Sequence, residues 1–82
     1  MYCSVIYYSE KTHGYCGRNY VYETDLDLKV GDKVLCPIGG EMTQKRAIVI
    51  DVDVPSSEID PTWKDRIKKI MDYDYTNMEP VR

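Results

Sequence analysis

Asn19-Tyr-Val-Tyr-Glu-Thr-Asp-Leu-Asp-Leu-Lys-Val-Gly-Asp-Lys-Val-Leu-Cys-Pro-Ile38 is the stretch whose reading decides the fold. It reads as strand, tight turn, strand. Tyr20, Tyr22 and Thr24 share one face of the first run, and Asn19, Val21 and Glu23 the other. A period of two built from aromatic and β-branched residues is what a half-buried strand requires. Leu26, Leu28 and Val30 then alternate with Asp25, Asp27 and Lys29, an extended segment laid over a core. Gly31 supplies the backbone freedom for the reversal, and the Asp32 carboxylate can tie the turn to its own backbone. Val34 and Cys36 point inward on the return strand, and Pro37 ends its pairing. The pair forms a hairpin-like unit of a small, mainly β domain, read as a β-barrel.

Outward from this centre, Tyr2–Tyr8 is a first strand, apolar on both faces, so its inner face is not decided by pattern. Residues 9–18 read as a loop punctuated by Gly14 and Gly17. Gly39-Gly40 opens a second loop running to about Gln44. Lys45–Val54 is the clearest strand, with Ile48, Ile50, Val52 and Val54 on one face and Ala47, Val49, Asp51 and Asp53 on the other. Its apolar row places Ile50 inside. The segment 61–73 has two readings. Asp60-Pro61 is a good helix start and Trp63, Ile67, Ile70 and Met71 share a helical face. A short turn followed by an extended closing strand fits as well. Residues 1–75 form one domain and residues 76–82 a loose tail.

Composition bounds the function. A chain of 82 residues holds a single core. Its 43% hydrophobic and 30% charged content is that of a globular protein rather than a disordered one. The N-terminus carries no basic leader or long apolar run, so neither a secretory signal nor a membrane span is expected. Three cysteines without a C-x-x-C spacing suit a reduced, cytoplasmic protein. Net charge is −3 and the pI about 5.0, the wrong sign for a protein that binds phosphates over its whole surface. Residues 1–50 balance six Lys/Arg against six Asp/Glu, whereas the remainder carries five against eight. Nucleic acid could therefore be held only by a local patch.

The sequence argues against catalysis and against a cofactor. Cys3, His13, Cys16 and Cys36 are the soft ligands present, but structural zinc sites show two close ligand pairs and here there is one, His13-x-x-Cys16. Cys3 and Cys36 read as core residues, so no metal is expected. A Cys16/His13 nucleophile pair lacks an orienting partner, and no G-x-x-x-x-G-K loop occurs. Aromatics are the unusual feature: eight tyrosines and one tryptophan with no phenylalanine, so every ring has a polar tip. Such rings suit half-exposed strand positions and also base stacking. Aromatic and basic groups coincide in one region, Lys11, His13, Tyr15, Arg18 and Tyr20, which Lys45 and Arg46 would join if the second loop lies alongside.

Arg18-Asn-Tyr-Val-Tyr22, Leu28-Lys-Val-Gly-Asp-Lys-Val-Leu-Cys-Pro-Ile-Gly39 and Ala47-Ile-Val-Ile-Asp-Val52 together resemble the N-terminal DNA-binding domain of the primosomal replication-restart helicase PriA, and small stand-alone phage and bacterial proteins of the same unit. The resemblance covers residues 18–54 and extends loosely to Asp72. It implies a small β-barrel closed by a strand within 61–73, and capture of a DNA 3′ end in a pocket. Tyr20 would correspond to the pocket aromatic and Gly39 to the glycine of close approach. Val21 stands where the family has an aspartate, the nearest match to a further basic residue is Lys64, and the helicase body is absent. The expected function is a non-catalytic nucleic-acid-binding accessory module acting on single-stranded DNA or a 3′ end through Lys11, Tyr15, Arg18, Tyr20, Gly39, Lys45 and Arg46. The alternative is a protein-interaction module, such as a phage-type inhibitor or regulator, docking through its tyrosines and acidic tail. Oligomeric state is left open.

Overall fold

Every strand anticipated in the first 51 residues forms, but their order in space is not their order in sequence. The computed structural model describes residues 1–38, 43–64 and 66–74, with side chains described for all of these except 63 and 64. Strands β1 (Tyr2–Ser9), β2 (Gly14–Thr24), β3 (Lys33–Pro37) and β4 (Gln44–Asp51) are followed by a 3-10 turn (Ser56–Glu58) and a one-turn helix α1 (Pro61–Lys64). Two short strands, β5 (Lys69–Ile70) and β6 (Asp72–Tyr73), complete the mainly β domain. They form one mixed sheet in the order β5-β2-β1-β4-β3-β6.

The central stretch is therefore not a hairpin. β2 pairs with β1 and β5, whereas β3 pairs with β4 and β6. Residues 25–32 carry the chain from one side of the β1–β4 pair to the other. Leu28 is buried beneath this crossover at 3% exposure, while Val30 turns outward at 63%. The turn itself follows its sequence: Gly31 takes a positive φ of 98°, and the Lys29 N–H donates to Asp32 Oδ2 at 2.9 Å.

The inner face of β1 is Cys3, Val5 and Tyr7, the first two fully buried. Directly opposed residues of an antiparallel pair point to the same face. Val5 opposes Val49 and Tyr7 opposes Ala47, so Ala47 and Val49 are core residues, at 0% and 1% exposure. This reverses the expected orientation of the strand: Ile48 and Ile50 are only half-buried. The register between β1 and β4 shifts between Ser4 and Val5, leaving Ile50 as an extra residue on β4. A bulge of this kind breaks the period of two, and β4 ends at Asp51 rather than Val54.

The anticipated loop over residues 9–18 is also shorter. Ser9 already opposes Gly14, so residues 10–13 make the turn, with His13 at φ 54°. Arg18 belongs to β2, in a bulge where Gly17, Arg18 and Asn19 all lie opposite Ile6; Gly17, at φ 101°, permits it.

Residues 61–73 combine a helical turn with extended pieces. Asp60 Oδ1 accepts the Thr62 N–H at 2.9 Å, the expected cap, but the helix stops after four residues. Ile70 is then buried at 1% while Met71 is 70% exposed, the alternation of extended chain and not a shared helical face. Thr24 Oγ1 donates to the Ile70 carbonyl at 3.1 Å, fastening β5 to the end of β2. β5 pairs in parallel with β2 and β6 antiparallel with β3. The two ends of the sheet thus lie in one short segment, joined through Met71. The expected closed barrel is not formed: the sheet stays open because that segment borders β2 only at Glu23 and Thr24.

Candidate nucleic-acid interface

The sheet order explains why residues from distant parts of the chain meet. β1 lies between β2 and β4, so Tyr7-Tyr8 is flanked by β2 tyrosines on one side and Lys45-Arg46 on the other. Consecutive residues of a strand face opposite ways. Each dipeptide therefore contributes one residue to each face, and two cross-strand rows result, each a cation followed by two tyrosines.

The inner row is Lys45, Tyr7, Tyr20, at the mouth of the curled sheet beyond the core. The Tyr7 and Tyr20 rings stack at 4.4 Å between centroids and 20° between planes. Lys45 Nζ lies 5.1 Å from the Tyr7 ring centroid, a cation–π contact. Tyr7 is fixed from below: its hydroxyl and that of Tyr22 are 2.5 Å apart, and Tyr22 donates to the Pro37 carbonyl at 3.1 Å. Because the Tyr22 proton goes to Pro37, Tyr7 is the donor to Tyr22. Burial raises the Tyr7 phenol above its ordinary range, and burial followed by the Tyr7 bond raises Tyr22 much further, so both stay neutral. Tyr20 keeps 37% of its surface exposed.

The outer row is Arg46, Tyr8, Tyr15. The Arg46 guanidinium lies 4.3 Å from the Tyr8 ring centroid, and Tyr8 meets Tyr15 edge-on at 5.3 Å. Here Asp74 intervenes: its Oδ2 accepts from Arg46 Nε at 2.8 Å, with the carboxylate side chain 1% exposed. That bond raises the Arg46 pKa further, and burial raises the Tyr15 phenol against the pull of Arg46. Arg46 Nη2 and the Tyr15 hydroxyl are both shut off from solvent. This row is packing, with its charge already answered.

A cleft of about 540 Å³ opens over these rows, bordered by Lys11, Arg18, Tyr20, Lys45 and Arg46. Five of the expected site residues are therefore brought together. Tyr15 stands behind the cleft against Tyr8, and Gly39 lies outside the described residues. Lys11, Arg18 and Lys45 have no ion pair among the described residues, against one nearby carboxylate, Glu10. Sequence reasoning missed Tyr7 and Tyr8, whose adjacency to both basic and aromatic residues needs β1 in the middle of the sheet.

The soft ligands do not converge. Cys3 and Cys36 are buried in the core, where burial pushes their thiols up to about 11 and about 12. Cys16 is exposed, with Sγ 3.7 Å from Thr12 Oγ1, and His13 sits at the hairpin turn. No group of three or more metal-binding side chains gathers among the described residues. No helix among them is long and apolar enough to cross a membrane. No family model matches the chain, and no curated protein or solved structure is found to be similar to it.

Proposed function

We propose that the domain is a non-catalytic module that holds single-stranded nucleic acid in the cleft over Lys45, Tyr7 and Tyr20. The observation that carries this reading is the inner row: the partly exposed Tyr20 ring stacked on Tyr7, with cations around it that have no ion pair among the described residues. Base–aromatic stacking supplies about 1–3 kcal/mol per base without requiring a sequence. The Tyr20 ring would take a base on its free face, while Lys45, Arg18 and Lys11 meet the adjoining phosphates. A net charge of −3 confines the ligand to this patch and makes long-range attraction weak.

The test is fluorescence anisotropy with a labelled single-stranded oligonucleotide at two salt concentrations. Tyr20→Ala should weaken binding by about 1–3 kcal/mol. With three cations that have no ion pair among the described residues, log K should fall with log salt at a slope of about −2, from roughly −0.7 per phosphate on a single strand. Duplex should bind more weakly, because its bases present no free face. A 3′-phosphorylated strand separates recognition of the end from recognition of the strand. Weakened binding supports a 3′-hydroxyl pocket; unchanged binding assigns the strand alone, in keeping with Val21 at the position of the family's aspartate. No binding at high micromolar protein refutes the nucleic-acid reading.

A protein partner is the second reading. The acidic balance of the chain favours it, as does a length of β2 whose outer edge carries no strand among the described residues.

A further inference from the structure

The open sheet leaves a seam. β5 covers the outer edge of β2 only at Glu23 and Thr24, and the Glu23 N–H reaches the Lys68 carbonyl at 3.0 Å. N-terminal to that point no described residue pairs with the edge. The direction of its main-chain groups follows from the ladder. Met1 and Thr24 exchange both bonds, the Thr24 N–H to the Met1 carbonyl at 2.8 Å and the N-terminal ammonium to the Thr24 carbonyl at 3.2 Å. In an antiparallel pair such doubly bonded positions alternate. Thr24, Tyr22 and Tyr20 therefore spend their N–H and C=O groups on β1, whereas Glu23 and Val21 point theirs away from it. Glu23 is satisfied by Lys68. Val21 directs one donor and one acceptor outward, and no strand among the described residues receives them.

That edge lines a second cleft of about 540 Å³ together with Pro37, Ile38, Ile59 and Ile67; Glu58, Asp60, Arg66 and Lys68 add charge to its lining, and Tyr7, Arg18 and Tyr20 are shared with the first cleft. The seam thus combines a strand edge left unpaired among the described residues with a lining in which apolar side chains predominate and charged ones lie between them. Ile59 is buried at 6%, and Ile38 and Ile67 are half-buried. An edge of this kind is a template for another strand, and the same edge already accepts one, two residues further on.

We propose that the seam binds an extended peptide segment of a partner protein, which adds a strand to β2 at Val21 and lays alternate apolar side chains against Ile38, Ile59 and Ile67. Main-chain pairing supplies affinity and the apolar wall supplies selection, the mode of β-strand addition. The bulge at Gly17–Asn19 ends the regular edge, so the added strand is short. A nucleic-acid strand has no main-chain amide to answer Val21, which is why a peptide is favoured here while the neighbouring basic cleft favours nucleic acid.

The experiment selects a phage-displayed library of random dodecapeptides on the full chain, counter-selected on Val21→Pro. Proline is tolerated at an edge position whose N–H faces away from the sheet and removes the donor the peptide needs. Enriched peptides should carry apolar residues at alternate positions. N-methylation of alternate amides in the synthetic winning peptide should weaken it by about tenfold or more, through lost main-chain bonds. The Val21 amide should exchange with deuterium more slowly in the complex. Ile38→Glu, which leaves the β2 edge intact, should also lose the peptide. Both variants should retain oligonucleotide affinity in the cleft over Lys45, so failure here and failure of the nucleic-acid reading are separate results. The proposal is overturned if nothing is enriched, or if N-methylated peptide binds equally well. It is also overturned if a thymidine oligonucleotide rather than a peptide slows the Val21 amide.

Discussion

Tyr22→Phe tests the arrangement that holds the inner row in place. The substitution keeps the ring, which is 5% exposed, and removes one oxygen. That oxygen makes two bonds, accepting from Tyr7 at 2.5 Å and donating to the Pro37 carbonyl at 3.1 Å. Each contributes about 0.5–1.5 kcal/mol net, and a polar group left buried without a partner costs about 1–3 kcal/mol. Tyr7 and Pro37 both border clefts, so water can reach the orphaned groups and recover part of that penalty. The expected loss is about 2–3 kcal/mol. For a domain of this size that lowers Tm by roughly 10 °C or more, at about 4–8 °C per kcal/mol. Tyr7→Phe removes only the donor to Tyr22, which still bonds Pro37, so its cost should be about 0.5–1.5 kcal/mol. The double variant should cost little more than Tyr22→Phe, because the Tyr7 hydroxyl has no remaining role. Urea unfolding of the three variants measures this. Equal losses for the two single variants, or strict additivity in the double, would show that the chain of bonds does not run from Tyr7 through Tyr22 to Pro37.

Three further outcomes are expected. Val49→Ala should cost about 2 kcal/mol, from two carbons lost at a fully buried site, and more than Ile50→Ala at its half-buried bulge; urea midpoints showing the reverse order would restore the opposite orientation of β4. Alkylation of the native protein should modify Cys16 quickly and leave Cys3 and Cys36 unreacted until denaturant is added, as read by intact mass. The buried thiols have folded pKa values of about 11 and about 12 against an ordinary 9.0, so the unfolded chain loses protons first as pH rises. Their contribution to stability is complete below pH 9 and is lost as pH climbs towards 11–12; urea midpoints at pH 8 and 10 should fall, and less so in Cys3→Ala and Cys36→Ala.

What the sequence disclosed was local. The strand pattern of Tyr20, Tyr22 and Thr24, the Gly31–Asp32 turn, and Val34 and Cys36 as inward residues all follow from neighbours within a few positions, and all hold. Pairing was not legible. A strand, tight turn and strand invite the reading of a hairpin, because nothing in residues 25–32 shows that the chain passes beneath the sheet. The orientation of β4 failed for a related reason. Ile48, Ile50 and Val52 are more apolar than Ala47, Val49 and Asp51, yet the choice of inner face belongs to Val5 and Tyr7 across the ladder. The bulge at Ile50 then breaks the period on which the reading depended. For residues 61–73 the apolar spacing satisfied a helix and a strand equally, and the bond from Thr24 to the Ile70 carbonyl decides for extended chain.

The site was legible in composition but not in rank. Lys45 and Arg46 are chemically alike in sequence, as are Tyr7 and Tyr8, and the two rows they form differ in only one respect. Asp74 closes on Arg46 from 28 positions away, so the outer row has its charge answered and its hydrogen-bonding atoms sealed. Among the described residues no carboxylate pairs with the cation of the inner row, which is exposed beside the Tyr7–Tyr20 stack. A domain that is acidic overall can offer an anion a foothold only where its own carboxylates do not reach. Among the described residues, Asp74 answers the cation of the outer row and not that of the inner row. Asp74→Asn should therefore weaken the fold without creating a second binding row, because Tyr8 and Tyr15 remain packed edge to face with no open ring to offer.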